Sequence, residues 1–192
     1  DGLGSLQPDL VEHALADPHP GVRINALRLA ESRATPAVIA AAVKLVDDPD
    51  AKVRLQLACS LGVWSDPRAG AALGRLAVAN HSDKFITSAV LSSALPHSLA
   101  LMDAIIAAGG PALASLSESL LTLALATNQR DSLARLLKPT LTAKNGHYTT
   151  PQMAGFSQFL DTLARRTTNW RGLQDTAKND ALTRQLRAAI KL

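Results

Sequence analysis

The sequence predicts an all-α fold, a right-handed α-α superhelix (solenoid) of about ten to eleven helices. Apolar residues occupy 47% of the 192 positions and aromatic residues only 3%, because Ala and Leu, both strong helix formers, carry the apolar share. A second observation is an internal repeat of 31 residues. The third is that apolar residues recur at helical spacing and not in the alternating pattern of strands. Together these observations predict stacked pairs of helices.

The repeat begins at an Asp-Pro pair. Four residue types recur at the same spacing, so that Asp17, Pro18, Val22 and Arg23 correspond to Asp48, Pro49, Val53 and Arg54. Asp-Pro predicts a turn, because the residue before proline is pushed out of the α region. The apolar residues that follow lie at helical spacing. Each unit therefore begins with a turn and a first helix.

A second helix follows in each unit. Thr35-Pro36 and Asp66-Pro67 place a capping residue before a proline, which is favourable at the first position of a helix. We expect second helices over 36–46 and 67–79. One helix pair cannot bury its apolar face alone, so neighbouring pairs must stack into a continuous core.

The rest of the chain continues the pattern less clearly. A divergent copy occupies 83–95, with its turn at 96–98 and its second helix at 99–108. Further helices are expected over 111–126, 129–142, 151–168 and 175–191, and the second helix of a truncated leading repeat over 10–16. We therefore expect one solenoid domain over 1–192, with clear repeats over 17–95 and divergent helical pairs over 96–192. We also expect this domain to be excised from a longer chain.

The recurring pattern Asp-x-x-x-x-Val-Arg-x-x-Ala resembles HEAT repeats, which have the HEAT/armadillo-like solenoid fold. The phrases at 17–23, 86–93 and 152–166 are also similar to the HEAT segment of multidomain membrane-bound dehydrogenases of Planctomycetes and Verrucomicrobia. That narrower resemblance implies a bacterial module between a sugar-dehydrogenase-like propeller and a c-type cytochrome domain. It implies a periplasmic or cell-envelope location, and it transfers no catalytic residue to this chain.

The resemblance to HEAT repeats also implies a role for the two repeated arginines. In such repeats an arginine at the position of Arg23 and Arg54 pairs with an aspartate of a neighbouring turn, which forms a structural ladder between repeats. Asp17, Asp47 and Asp48 are the available partners. The planar guanidinium suits this role because its fork holds a carboxylate in a fixed geometry.

The sequence predicts no catalytic residue, no cofactor and no metal, and hence no enzymatic activity in this chain. The single cysteine, Cys59, excludes an internal disulfide, a CxxC motif and a haem-attachment CxxCH motif. We expect it to be inert and partly exposed. The five histidines form neither HxxxH nor HExxH, and we expect them on the surface: His13, His19, His81, His97 and His147.

No membrane span and no signal peptide are predicted. The longest apolar stretch, 104–126, is interrupted by Gly109-Gly110-Pro111 and contains Glu118. The chain also begins without the basic residues and apolar run of a signal sequence.

Charge is distributed unevenly along the chain. The net charge of +4 is made up of −3 over 1–128 and +7 over 129–192. The candidate interaction surface in the basic part combines arginines with an indole: Arg165, Arg166, Trp170, Arg171, Arg184 and Arg187. The alternative is a solvated terminal helix with Trp170 packed inward.

Two functions follow from this distribution. The first is a non-catalytic scaffold for protein–protein or inter-domain contacts, because the expected second helices carry only Lys44, Arg68 and Arg75. The alternative is a nucleic-acid-binding module that uses the basic C-terminal third. Nucleic-acid binding favours a basic groove along the whole array, and the negative N-terminal part makes nucleic acid the less favoured partner.

Overall fold

The described residues have an all-α fold with stacked helix pairs, as the sequence predicts. The computed structural model describes residues 7–143, 147–165 and 181–190. Within these residues there are eleven α-helices and no β-strand. The helices are α1 Pro8–Leu15, α2 Pro20–Glu31, α3 Pro36–Ala42, α4 Ala51–Leu61, α5 Pro67–Ala79, α6 Lys84–Ser92, α7 Ser98–Ala108, α8 Gly110–Ala126, α9 Arg130–Leu141, α10 Thr150–Arg165 and α11 Ala181–Ile190.

The chain divides into two compact units, Asp1–Ser115 and Leu116–Leu192. One solenoid domain over 1–192 stays a prediction. The expected helices at 111–126 and 129–142 correspond to α8 and α9. Those expected at 151–168 and 175–191 correspond to α10 and α11 as far as the described residues extend.

The first unit is built from stacked helix pairs. The first helices of successive repeats lie side by side, with α4 between α2 and α6. The second helices form a parallel row, in which α3 lies against α1 and α5, and α5 against α7. Side chains from both rows fill the core, among them Leu27, Leu57, Leu73, Leu76 and Leu101, all fully buried. Each repeat therefore contacts mainly its neighbours, as in other repeat proteins.

The predicted caps start two of the second helices. Helix α3 begins at Pro36, and the Thr35 hydroxyl accepts a hydrogen bond of 3.1 Å from the Val38 amide. Helix α5 begins at Pro67, and the Asp66 carboxylate accepts one of 2.8 Å from the Arg68 amide. Each cap satisfies an amide that has no partner inside the helix.

The expected helix over 36–46 is not one continuous α-helix. Helix α3 ends at Ala42, and a 3-10 helix follows over Val43–Asp47. Asp48 then adopts an extended ψ of 135° in front of Pro49. The Asp-Pro pair explains the end of the helical segment at Asp47, because proline excludes the α conformation from the preceding residue.

Helices α5 and α7 approach each other closely at a glycine. A Cβ atom placed on Gly74 would lie 2.6 Å from the Cβ of Ala104. Glycine therefore sets the spacing between these two second helices.

The second unit contains α9 to α11 and most of α8. Helix α9 packs against α10 and α11, and Leu133, Leu137, Phe159, Leu182 and Leu186 are buried there. Gln152 of α10 donates to two carbonyls at the end of α9, those of Pro139 at 2.8 Å and Thr142 at 2.6 Å. Its amide thereby satisfies helix-end acceptors that lack partners within the helix.

No single helix in the described part of the chain has both the length and the apolar character needed to cross a membrane. Helices α6 and α7 pass that test only as a pair, over Lys84–Ser92 and Leu95–Ala108, and this pair is bent by 79°.

Candidate interaction surfaces and the arginine ladder

Arg23 links the turns of two consecutive repeats. Its Nε and Nη2 atoms donate to the two carboxylate oxygens of Asp48, each at 2.8 Å. Its Nη1 atom donates to the carbonyls of Asp17 and Pro18, at 2.8 and 3.0 Å. Arg23 and Asp48 are both buried, so this is a bidentate ion pair with little access to water.

The charge state of Arg23 follows from this environment. The hydrogen bonds to Asp48 raise the pKa of Arg23 above its ordinary value, while burial acts in the opposite direction. The guanidinium therefore stays charged at any pH at which the protein is folded.

Arg54 repeats half of this arrangement. Its Nη1 atom donates to the carbonyls of Asp48 and Pro49, at 2.6 and 3.2 Å, as Arg23 does one repeat earlier. Its Nε atom, however, donates to the Asn80 side-chain oxygen at 3.2 Å. The ladder thus has a charged rung at Arg23–Asp48 and a neutral rung at Arg54–Asn80.

The other two aspartates named as ladder partners have different contacts. The Asp17 carboxylate accepts a hydrogen bond of 2.8 Å from the His19 amide, and Arg23 reaches only the Asp17 carbonyl. Asp47 forms an exposed ion pair with Arg75 of α5. Neither carboxylate pairs with a ladder arginine.

A second set of polar contacts joins the first helices α2 and α4. The Ser60 hydroxyl donates to the Glu31 carboxylate at 2.7 Å, and Arg28 donates to the Gln56 side-chain oxygen at 3.0 Å. The Gln56 amide also donates to Glu31 at 3.4 Å. Sequence reasoning missed this set, because its members do not recur in the third copy.

His97 is buried, which corrects the expectation that the histidines lie on the surface. Its Nε2 atom lies 3.0 Å from the carbonyl oxygen of Leu61. The ring also lies against α5, where a Cβ on Gly70 would be 3.1 Å from Nδ1. The turn at 95–97 therefore packs its histidine between repeats, although turns usually expose their polar side chains.

Cys59 is a free cysteine on the exposed side of α4. Partial burial of the thiol raises the pKa of Cys59 above its ordinary value, and the nearby Glu31 carboxylate raises it further. A raised pKa lowers the thiolate fraction, which is the reactive form. Within the described ranges, no three His, Cys, Asp or Glu side chains come together in a group that could hold a metal ion.

The solvent-facing sides of the second helices carry many small side chains, together with the exposed Leu10 of α1 and Leu99 of α7, and the cations of α5 are paired. Ala71 and Ala79 of α5 are exposed, as are Ala37 of α3 and Ala100 and Ala107 of α7. The two cations of α5 have acidic partners, since Arg68 binds the Asp66 carboxylate through two nitrogens, at 3.0 and 2.8 Å, and Arg75 binds Asp47. Lys44 is the further exposed cation of this row.

The predicted basic surface is only partly described. Arg165 is exposed at the end of α10 and pairs with Glu118 of α8 at 3.1 Å. Arg184 and Arg187 are exposed on α11. Arg166, Trp170 and Arg171 lie outside the described residues. A basic and aromatic surface at this position stays a prediction.

The stacked helix pairs and their polar ladder define the class of this protein, an α-helical repeat protein. Within that class, residues 8–94 match the family of HEAT repeats. The match spans α1 to α6 and covers a little under half of the chain, which confirms the resemblance to HEAT repeats for this segment. No curated protein and no solved structure shows significant similarity to the chain.

Proposed function

We propose that this chain is a non-catalytic scaffold that makes protein–protein or inter-domain contacts. The observation that carries the proposal is the exposed side of the second helix α5, where alanines alternate with cations that already have acidic partners. HEAT repeats, to which residues 8–94 are similar, generally serve as protein-interaction scaffolds.

The chemistry of this surface favours protein over nucleic acid. Nucleic-acid binding depends on cations that neutralise phosphates and thereby release the counterions condensed on the nucleic acid, and Arg68 and Arg75 instead face carboxylates. Alanines allow a partner backbone to approach closely, and a surface with few unpaired charges costs little to desolvate. A partner helix or loop with apolar side chains fits such a surface.

The alternative function, nucleic-acid binding, is favoured by one observation, the net charge of +7 over 129–192. A salt titration separates the two functions. We expect the full chain to bind a labelled DNA duplex at physiological salt no more tightly than about 100 μM. A tighter complex, whose affinity falls steeply with salt and whose formation needs Arg184 and Arg187, would support the alternative and contradict the scaffold.

A finer part of the proposal concerns the setting of the module. Its similarity to the HEAT segment of bacterial propeller–cytochrome dehydrogenases supports a place between such domains, in the periplasm or cell envelope. In that setting the chemistry belongs to the flanking domains and this chain holds them together. Deleting the segment from such a parent protein should slow electron transfer between its flanking domains. An unchanged rate of electron transfer would contradict this setting, but it would not contradict the description of the fold.

A further inference from the structure

A cavity opens on the row of second helices, between α1 and the segment made of α3 and its 3-10 helix. It has a volume of about 470 Å³, which falls within the range of natural ligand pockets, about 300–1,000 Å³. Its lining is mostly apolar and comes from both sides, with Leu15 and Ala16 on α1, Ala41 on α3 and Leu45 on the 3-10 helix. This junction cavity lies where two successive second helices meet.

An ion pair occupies the corresponding position one repeat later. There, Arg75 of α5 binds the Asp47 carboxylate at the end of the preceding 3-10 helix. The residues 31 positions before this pair are Lys44 and Ala16, and both line the junction cavity. The junction between α1 and α3 therefore keeps the cation of the pair but has a methyl group in place of its acidic partner.

The charged side chains of the junction cavity are unpaired within the described residues. No ion pair or side-chain hydrogen bond in this part of the chain engages Lys44 or the carboxylates of Asp9 and Glu12, which also line the cavity. The two carboxylates lie three residues apart on α1 and so share one face of that helix. Beside them, His13 can donate or accept a further hydrogen bond. The cavity thus has a negative side on α1 and a positive side on the 3-10 helix.

This distribution of charge selects the kind of molecule that fits. A phosphate or a polyanion would pair with Lys44 but would be repelled by Asp9 and Glu12, and a cation alone would leave Lys44 unpaired. An occupant that carries both signs of charge pairs with both sides of the cavity. The apolar lining between them suits an aliphatic side chain. A segment of protein offers all three groups on one short stretch of chain.

We infer that the junction cavity docks a segment of a partner protein in which an acidic and a basic side chain flank an aliphatic one. The site rests on the proposed function, and it gives that function one place and one partner chemistry. The partner's carboxylate binds Lys44 as Asp47 binds Arg75 one repeat later. The partner's cation faces Asp9 and Glu12, and its aliphatic side chain contacts the apolar lining.

A phage-displayed library of random short peptides, selected against the full chain, supplies the probe. We expect the enriched peptides to carry Asp or Glu on one side of Leu, Ile or Val, and Lys or Arg on the other. Fluorescence anisotropy then measures the Kd of an enriched synthetic peptide. Lys44→Ala should weaken binding at least about tenfold. Lys52→Ala, at an exposed position on α4 outside the cavity, should leave the Kd unchanged.

Two substitutions at Ala16 make the test specific to the missing acid. Ala16→Asp supplies the carboxylate that Asp47 provides one repeat later, so it should pair with Lys44 and weaken peptide binding at least about tenfold. Ala16 is exposed, so the thermal midpoint should not fall. Ala16→Asn has nearly the same shape but no charge, and should retain most of the binding.

A charge exchange separates direct pairing from an indirect effect. A peptide whose acidic residue is changed to lysine should bind the Lys44→Glu protein more tightly than it binds the natural chain. A loss of binding caused only by altered packing would not be rescued in this way.

Three results would overturn the inference. They are a library without enrichment, peptides that bind the natural chain and the Lys44→Ala and Ala16→Asp proteins equally, and displacement of the peptide by an equal concentration of free arginine or glutamate. If the junction cavity fails these tests while a crosslinking probe at Ala71 of α5 still captures protein, the docking site is wrong and the scaffold function stands.

Discussion

At the scale of single residues, the repeat is held together by the way two arginines reach the Asp-Pro turns. Both reach the same pair of carbonyls in their own turn, but only Arg23 finds a carboxylate in the next one. The 31-residue recurrence was enough to predict that these arginines share a structural position. It could not predict Asn80, because the spacing to the third copy lengthens and the aspartate is lost there.

The difference between the two rungs has a consequence for stability. Arg23→Ala leaves the buried Asp48 carboxylate without its counterion, which should cost about 3–5 kcal/mol of the free energy of unfolding. Arg54→Ala removes hydrogen bonds to neutral acceptors only, and should cost about 1–3 kcal/mol. Urea denaturation measures both, with Lys52→Ala, at an exposed position on α4, as control. Equal losses for Arg23→Ala and Arg54→Ala would contradict the distinction between the rungs.

Asp66 gives the fold a dependence on acid pH. The side-chain and backbone hydrogen bonds from Arg68 lower the pKa of Asp66 from 3.8 to about 2. Because the folded-state pKa is depressed, the contribution of Asp66 is complete above pH 3.8 and is lost as the pH falls towards 2. Asp66→Asn should therefore flatten the decline in stability over this window. Parallel profiles for the variant and the natural chain, measured by urea denaturation from pH 5 to 2, would refute this.

At the scale of elements, the sequence predicted the helices well and their ends less well. Prolines and capping residues located the starts of α3 and α5, because those signals are local. The inward packing of His97 depends on a neighbouring repeat, because its ring nitrogen lies against the carbonyl of Leu61. Contacts of this kind form only when neighbouring repeats pack together, so they could not be predicted from the local sequence pattern.

Gly74 tests the packing of α5 against α7. At a solvent-exposed position within a helix, replacing glycine with alanine raises the free energy of unfolding by about 0.5–1 kcal/mol. Here the new methyl group would meet Ala104, so we expect Gly74→Ala to destabilise, with an unfolding midpoint below that of the natural chain. The control is Ala71→Gly on the exposed side of the same helix, which reports the intrinsic preference alone. A stabilised Gly74→Ala protein would show that the two helices are less closely packed.

At the scale of the whole molecule, composition and periodicity predicted the fold class, and the structure and the match to HEAT repeats agree with it. The candidate surfaces were harder to predict. Net charge indicated only an alternative function in the basic C-terminal third, and the pairing of Arg68 and Arg75 with acidic neighbours is visible only in three dimensions. Composition gives the net charge of a segment, but it does not show which opposite charges lie close together in the folded protein.

The central claim is that the exposed side of the second helices binds protein. Its most direct test is a photo-crosslinking amino acid placed at Ala71 on α5, compared with the same probe at Ser88, which is exposed on the first helix α6. In the protein's native host, the account predicts discrete crosslinked protein species from position 71 that are absent from position 88 and disappear when Ala100 of the neighbouring α7 is changed to Arg. Crosslinks to nucleic acid, or equal protein crosslinking from both positions, would contradict the claim.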